Sequence, residues 1–384
     1  MTSLSRAASV SDYRELARRR LPKIFYEYID GGSYDEATLR RNVADLEALF
    51  LRQRVMRDMS ALDTRVETLG QTLSMPIGLA PVGMAGMYGR RGEVQASRAA
   101  TLAGVPFCLS TVGICSVEEV ARSGVAPWFQ LYVLKDRGYV RELVRRAKAA
   151  GCPVLVLTVD LPVPGARYRD VRSGFRGLKG MSAFLNQAKD GLTHPRWLWD
   201  VWLNGRPHSL GSVAGALTKG QSVADFLTWI ADNFDRSITW RDLDWIRGDW
   251  DGPIVIKGIL DPDDARDAVK VGAQAIVVSN HGGRQLDGVR SAISALPSIA
   301  DAVGGDLELY LDSGIRSGLD VLKALALGAK TCFIGRAWAY ALGAGGQAAV
   351  TQMLGTLRAE LEVAMILTGC RAIRSAGRHL IDAD

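Results

Sequence analysis

From Pro76 onward, short apolar runs alternate with longer stretches whose apolar residues recur at helical spacing. The runs fall at 76–80, 105–109, 127–131, 153–159, 253–256, 275–279, 307–311 and 331–334. Runs of this length and make-up predict buried strands. Helical patterns follow at about 92–103, 116–122, 136–150, 240–249, 261–271, 291–303, 316–327 and 336–343. Ser116 and Asp261-Pro262 mark helix starts, and Gly151, Gly272 and Gly328 mark helix ends. Strand-helix repetition of this kind calls for parallel strands joined by helical crossovers. Eight such units predict an α/β fold closed as a (β/α)8 barrel, with an open doubly wound sheet as the alternative. Residues 1–75 predict a helical N-terminal extension, and a last helix covers about 346–367. The reading is one barrel domain over residues 1–384.

The rhythm breaks between Leu161 and Thr239. This insertion after the fourth strand is far too long for a simple connection. Between Leu161 and Lys219 it carries nine Lys and Arg residues (Arg167, Arg169, Arg172, Arg176, Lys179, Lys189, Arg196, Arg206, Lys219) against Asp170, Asp190 and Asp200. That difference, nine minus three, equals the +6 net charge of the whole chain. Trp197, Trp199 and Trp202 lie in the same segment. A basic stretch with tryptophans suits contact with an anionic membrane surface; a lid or a solvated loop is the plainer reading. Nucleic acid is not expected, because no known binding module is visible.

In a barrel of this kind functional groups gather on one face, where the strands end. Every strand end here carries a candidate. They are Ala80-Pro81-Val82 after the first, Ser110 after the second and Gln130 with Tyr132 after the third. Thr158 and Asp160, with Arg167 soon after, follow the fourth, and Lys257 ends the fifth. The sixth ends in Ser279-Asn280-His281-Gly282-Gly283-Arg284-Gln285-Leu286-Asp287-Gly288. The seventh ends in Asp312-Ser313-Gly314 with Arg316, and the eighth in Gly335-Arg336. His281 can move protons near neutral pH, and Arg284 can grip a carboxylate with a two-pronged hydrogen bond. The last two units suit a phosphate, with glycine backbone, helix N-termini and Arg336. The cluster Gly343-Ala344-Gly345-Gly346 follows no strand, so it is not a dinucleotide loop.

The composition adds limits. The chain has 384 residues, 48% hydrophobic and 23% charged, as a globular protein with a large core has. Cys108, Cys115, Cys152, Cys332 and Cys370 show no paired spacing. Three of them sit in apolar runs, so buried thiols in a reducing compartment are expected. The four histidines show no metal-ligand spacing to the cysteines, and no metal is expected. No run approaches the roughly 20 apolar residues of a membrane span, and residues 1–10 lack the apolar core of a secretion signal. Retention in the cytoplasm is expected.

Taken in order, APVGM, LST, QLYVLKDR, LTVD, IKGI, SNHGGRQLDG, LDSGIR, ALALGA and FIGR resemble the FMN-dependent α-hydroxy-acid dehydrogenase and oxidase family. The resemblance runs from LPKIFYEY at 21–28 to MILTGCR at 365–371. GARYRD at 165–170 and NGRPHSLG at 204–211 are most similar to the bacterial respiratory, quinone-linked L-lactate dehydrogenases. It implies FMN as cofactor and a small L-2-hydroxy acid as substrate. It assigns His281 as general base, Asp160 as the carboxylate that steadies its imidazolium, and Arg167, Arg284, Tyr28 and Tyr132 as substrate contacts. It assigns Ala80, Pro81, Val82, Ser110, Gln130, Thr158, Lys257 and Ser279 to the flavin ring. Asp312, Ser313, Gly314, Arg316, Gly335 and Arg336 go to the ribityl and phosphate end. It further implies a quinone acceptor, peripheral attachment to the cytoplasmic face of the inner membrane, and a homo-oligomer such as a tetramer. The alternatives are an oxidase that yields hydrogen peroxide, a Schiff-base aldolase on Lys257, and a non-catalytic sensor that kept the pocket.

Overall fold

The computed structural model describes residues 3–175, 190–213 and 232–382. Three helices open the chain: α1 (Val10–Arg20), α2 (Lys23–Asp30) and α3 (Ala37–Glu47). A short antiparallel hairpin follows, β1 (Val66–Thr68) and β2 (Gln71–Leu73). Eight parallel strands come next: β3 (Ile77–Leu79), β4 (Cys108–Ser110), β5 (Trp128–Leu131), β6 (Leu155–Thr158), β7 (Ile254–Ile259), β8 (Ala275–Val278), β9 (Glu308–Leu311) and β10 (Thr331–Ile334). Their order is β3-β10-β9-β8-β7-β6-β5-β4. A parallel bridge between Leu79 and Phe107 closes the ring. The fold is therefore the (β/α)8 barrel, and the open sheet is excluded.

The helices on the outside are α4 (Gly92–Ala103), α5 (Val117–Arg122), α6 (Arg137–Ala149), α7 (Tyr168–Arg172), α8 (Leu243–Asp249), α9 (Pro262–Lys270), α10 (Ala292–Val303), α11 (Gly318–Ala326) and α12 (Arg336–Thr368). Their starts are capped as the sequence predicts. Ser116 Oγ accepts from Glu119 N–H, and Asp261 accepts from Asp263 N–H, relieving orphan donors of the first turn. The glycines expected at helix ends take left-handed backbone there: Gly151, Gly272 and Gly328. Gly345 and Gly346 break α12 into two helical pieces.

Side chains alternate across each strand. Along β8, Ile276 and Val278 face the helices, while Ala275 and Val277 face the barrel interior with Val255, Trp128, Tyr310 and Phe333. This leaves no pore. The hairpin at 66–73 was not foreseen, since residues 1–75 predict helix alone. Its turn is Leu69-Gly70, both at positive φ, without the Asn-Gly or Asp-Gly that announces such turns. Leu69 packs against the inner core, and Trp128 Nε1 donates to Gln71. The hairpin thus packs against the barrel's interior, and the strand C-termini carry the polar groups.

All five cysteines are buried and free. Among the described residues no helix is long and apolar enough to cross a membrane, and no cluster of three metal-ligating side chains occurs.

Candidate active site

An open cleft of roughly 1200 Å3, counting its mouth, lies over the strand C-termini. The predicted residues Tyr28, Ala80, Pro81, Val82, Tyr132, Arg167, Lys257, His281, Arg284, Asp312, Ser313, Gly314, Arg316, Gly335 and Arg336 line it. Asp160, Ser110, Gln130, Thr158 and Ser279 do not reach its surface. Asp160 stands behind His281, and the other four are buried around the strand ends.

His281 sits at φ 57°, in the left-handed region that a histidine adopts at a cost. The conformation is held from several sides. Its N–H donates to Ser279 Oγ at 3.0 Å, and Nδ1 lies 2.9 Å from Asp160 Oδ1. A carboxylate only accepts, so the ring proton is on Nδ1 and Nε2 carries the lone pair. Burial pushes the Asp160 pKa up, but His281 and then Lys257 outweigh it, and the carboxyl stays below its usual range. Gly258 makes this approach feasible. It occupies a register shift in β7 at φ 110°, and a Cβ there would lie 2.6 Å from Asp160 Cβ.

Lys257 is buried. Its Nζ donates to Ser279 Oγ at 3.0 Å and lies 2.9 Å from Asp312 Oδ2. Burial lowers its pKa, but Asp312 and Asp160 more than reverse this and the net direction is upward. A lysine kept charged is the opposite of the neutral amine a Schiff base needs. The geometry therefore speaks against the aldolase alternative.

Arg167 Nε lies 3.2 Å from Asp170 Oδ2 without hydrogen-bond alignment. Burial disfavours its charge, but Asp170, Tyr28 and Tyr132 together outweigh burial and the pKa is raised. Arg284 donates through Nη1 to the carbonyls of Tyr28 at 2.6 Å and Gly31 at 2.8 Å. Both guanidinium groups lie near the Tyr28 ring, at 4.7 Å for Arg284 and 5.4 Å for Arg167. At the far end Arg336 donates to the carbonyls of Ile29, Gly31 and Gly282. Burial pushes its pKa down, and Arg284 and Arg316 add repulsion. A guanidinium does not lose its proton near neutrality, so an anion is what would relieve this penalty. Gly314, at φ 108°, has room for no Cβ, which would fall 2.2 Å from Asn42 O.

Several residues of the site carry no recognisable signal in the chain. Gln285 ties the loop after β6 to the His281 loop: Nε2 donates to the carbonyls of Asp160 and Val163, and Oε1 accepts from Gly165 N–H. Phe234 and Phe175, near the two ends of the insertion, pack on Tyr132 and Tyr28 at 5.2 and 4.7 Å. Asp287 accepts from the N–H groups of Ala37 and Thr38 and so caps α3. A long-range partner 250 residues away leaves no local pattern to read.

A family model for FMN-dependent dehydrogenases matches residues 17–383. The chain belongs to the FMN-dependent dehydrogenase family. It is 57% identical over 372 residues to the L-lactate dehydrogenase of Ectopseudomonas mendocina (strain ymp), covering 97% of each. It is 58% identical over 369 residues to the L-lactate dehydrogenase of Stenotrophomonas maltophilia (strain R551-3), covering 96% of this chain and 97% of that one. Among solved structures it matches the monotopic membrane protein (S)-mandelate dehydrogenase, with TM-score 0.91, 34% identity, and 98% and 99% of the two chains covered. A mandelate oxidase matches with TM-score 0.83, 38% identity and 98% of each chain covered.

The residues present suit FMN. Among the described residues the buried Gln130 Nε2 and Thr158 Oγ1 have no partner, and buried polar atoms are rarely left so. The polar edge of a flavin ring would satisfy them. Arg316 and Arg336 gather positive charge where a phosphate would lie, beside Gly335, which precedes the first turn of α12.

Proposed function

We propose that the protein oxidises an L-2-hydroxy acid, L-lactate foremost, to the 2-oxo acid and that the electrons pass to a membrane quinone. The reading is carried by His281 Nδ1 on Asp160 Oδ1 at 2.9 Å, beside a cleft that also presents two guanidinium groups. FMN, when bound, supplies the two-electron acceptor, held by Ala80, Pro81, Val82, Ser110, Gln130, Thr158, Lys257 and Ser279 around its ring. Asp312, Ser313, Gly314, Arg316, Gly335 and Arg336 hold its ribityl phosphate.

The other steps belong to side chains. Arg167 and Arg284 take the substrate carboxylate. Tyr132 stays a neutral phenol, since burial and then Asp160 and Tyr28 push its pKa up, so it can donate to the substrate, as can Tyr28. His281 Nε2 takes the hydroxyl proton, and the charge then on the imidazole rests against Asp160. Lys257, charged and fixed, favours extra electron density in its neighbourhood.

Lactate is favoured because the relatives named for it are 57 and 58% identical, against 34 and 38% for the structures named for mandelate. Peripheral attachment to a membrane surface is supported by the helical stretch 195–203. It exposes Trp199 at 67% and Leu203 at 47%, beside exposed Arg196 and Arg206. Self-association is supported by exposed apolar side chains that adjoin across the chain: Val55 and Met56 follow Arg54, whose N–H donates to Leu367 O at 2.9 Å, and Ile366 and Leu367 are exposed as well.

The deciding experiment is an anaerobic absorbance titration with L-lactate, D-lactate, glycolate and L-mandelate. L-Lactate should bleach the flavin and D-lactate should not. A spectrum unmoved by every acid would overturn the reading. Turnover in air should then reduce a quinone analogue without stoichiometric hydrogen peroxide; peroxide in step with pyruvate would make the enzyme an oxidase.

A further inference from the structure

We infer that Phe234 sets the size of the substrate side chain. The inference rests on the 2-hydroxy-acid reading and concerns the same cleft. The polar groups of the cleft divide its walls. Arg167, Arg284, Tyr132 and His281 face the carboxyl and hydroxyl ends of a 2-hydroxy acid, and the groups from Asp312 to Arg336 occupy the opposite end. Apart from the flavin wall at Ala80 to Val82, the lining also includes the apolar side chains of Ile29, Val112, Leu161, Pro164, Phe234 and Ala339; of these, Phe234 is the one whose ring packs on Tyr132, which places it at the substrate end. A substrate's carbon side chain would be desolvated against this apolar corner.

Phe234 dominates this corner because it is large and cannot yield. It is 4% exposed. Its ring meets Tyr132 edge to face, with centroids 5.2 Å apart and planes at 71°. Its backbone is pinned on both sides: it forms an antiparallel bridge with Leu134, Lys135 N–H donates to Asn233 O at 2.9 Å, and Asp235 N–H donates to Val133 O at 3.1 Å. Asp235 is anchored in turn by Arg137 and by Ser237. Tyr132, the substrate-facing phenol, therefore leans on the ring that closes the apolar corner. Across the cleft, Gly83 adds no side chain, and a Cβ there would lie 2.8 Å from Val112 Cγ2. The corner is closed by Phe234 and Val112, of which Phe234 is the larger.

The test compares kcat/KM of the flavin-loaded enzyme for L-lactate and L-2-hydroxyhexanoate, in wild type, Phe234→Leu and Phe234→Ala. The wild type should prefer L-lactate. Phe234→Ala should move the preference toward the longer acid by about tenfold or more, the scale on which an apolar pocket discriminates carbon atoms. Phe234→Leu should lie between, and it carries the test alone if the alanine variant does not fold. A ring that only props Tyr132 would depress both acids alike, so an unchanged ratio in folded, flavin-loaded variants overturns the inference. A wild type bleached by neither acid would instead overturn the functional reading, which keeps the two failures apart.

Discussion

At the scale of single residues, the proposed chemistry rests on pairs in which one partner fixes the proton or charge of the other. Asp160 keeps the His281 proton on Nδ1, and Asp312 keeps Lys257 charged. Replacing His281 with Gln should leave the protein yellow while turnover falls by roughly 10²- to 10⁴-fold; retained turnover would remove His281 from the role of base. A second expectation concerns acid. The Asp160 carboxyl has a lower pKa folded than unfolded, so its stabilising contribution is complete above the unfolded value of about 4 and fades as pH falls below it. Melting temperatures taken from pH 6 to pH 3 should therefore drop more steeply in wild type than in Asp160→Asn; parallel curves would show that the pair does not hold the fold. The residue types and their order along the chain were legible in advance because each follows an apolar run. The special backbone of His281 was not, because a left-handed histidine is imposed by Ser279 and Asp160 rather than by local sequence.

At the scale of elements, the strands and most helices follow their patterns closely, since period and capping residues agree. The hairpin at 66–73 and the roles of Phe234, Gln285 and Asp287 escaped, because each depends on a partner far off in the chain. Asp287 makes the point. As part of SNHGGRQLDG it reads like turn punctuation, yet it supplies the N-terminal cap of α3. Its pKa is held down by the Thr38 and Ala37 N–H groups, against the upward pull of burial. Asp287→Ala should cost about 1 kcal/mol of stability, measured as a lower urea midpoint at unchanged slope. An unshifted midpoint would mean that the cap contributes nothing.

At the scale of the whole molecule, the basic excess of the insertion divides unevenly. Arg167 turns into the cleft, Arg169 is held by Glu27, Asp30 and Glu36, and Arg172 lies over Tyr168. Arg176, Lys179, Lys189 and Lys219 lie outside the described residues. Charge counted along the sequence thus overstates the charge offered to a surface, while Trp199, Leu203, Arg196 and Arg206 do face outward. Trp199→Ser combined with Leu203→Ser should lose sedimentation with vesicles containing anionic lipid while L-lactate still bleaches the flavin. Undiminished sedimentation would exclude this stretch as the attachment point.

The N-terminal helices also constrain the order of events in the cell. Asn42 and Asn280 exchange two amide hydrogen bonds, Ser33 N–H donates to Gly283 O, and the carbonyls around Tyr28 to Gly31 receive Arg284 and Arg336. Residues 28 to 42 thus wait for partners made some 240 to 300 residues later. A nascent chain cannot shut its binding cleft before the eighth strand has emerged. A chain stopped short of Arg336, which donates to the carbonyls of Ile29, Gly31 and Gly282, should therefore stay pale.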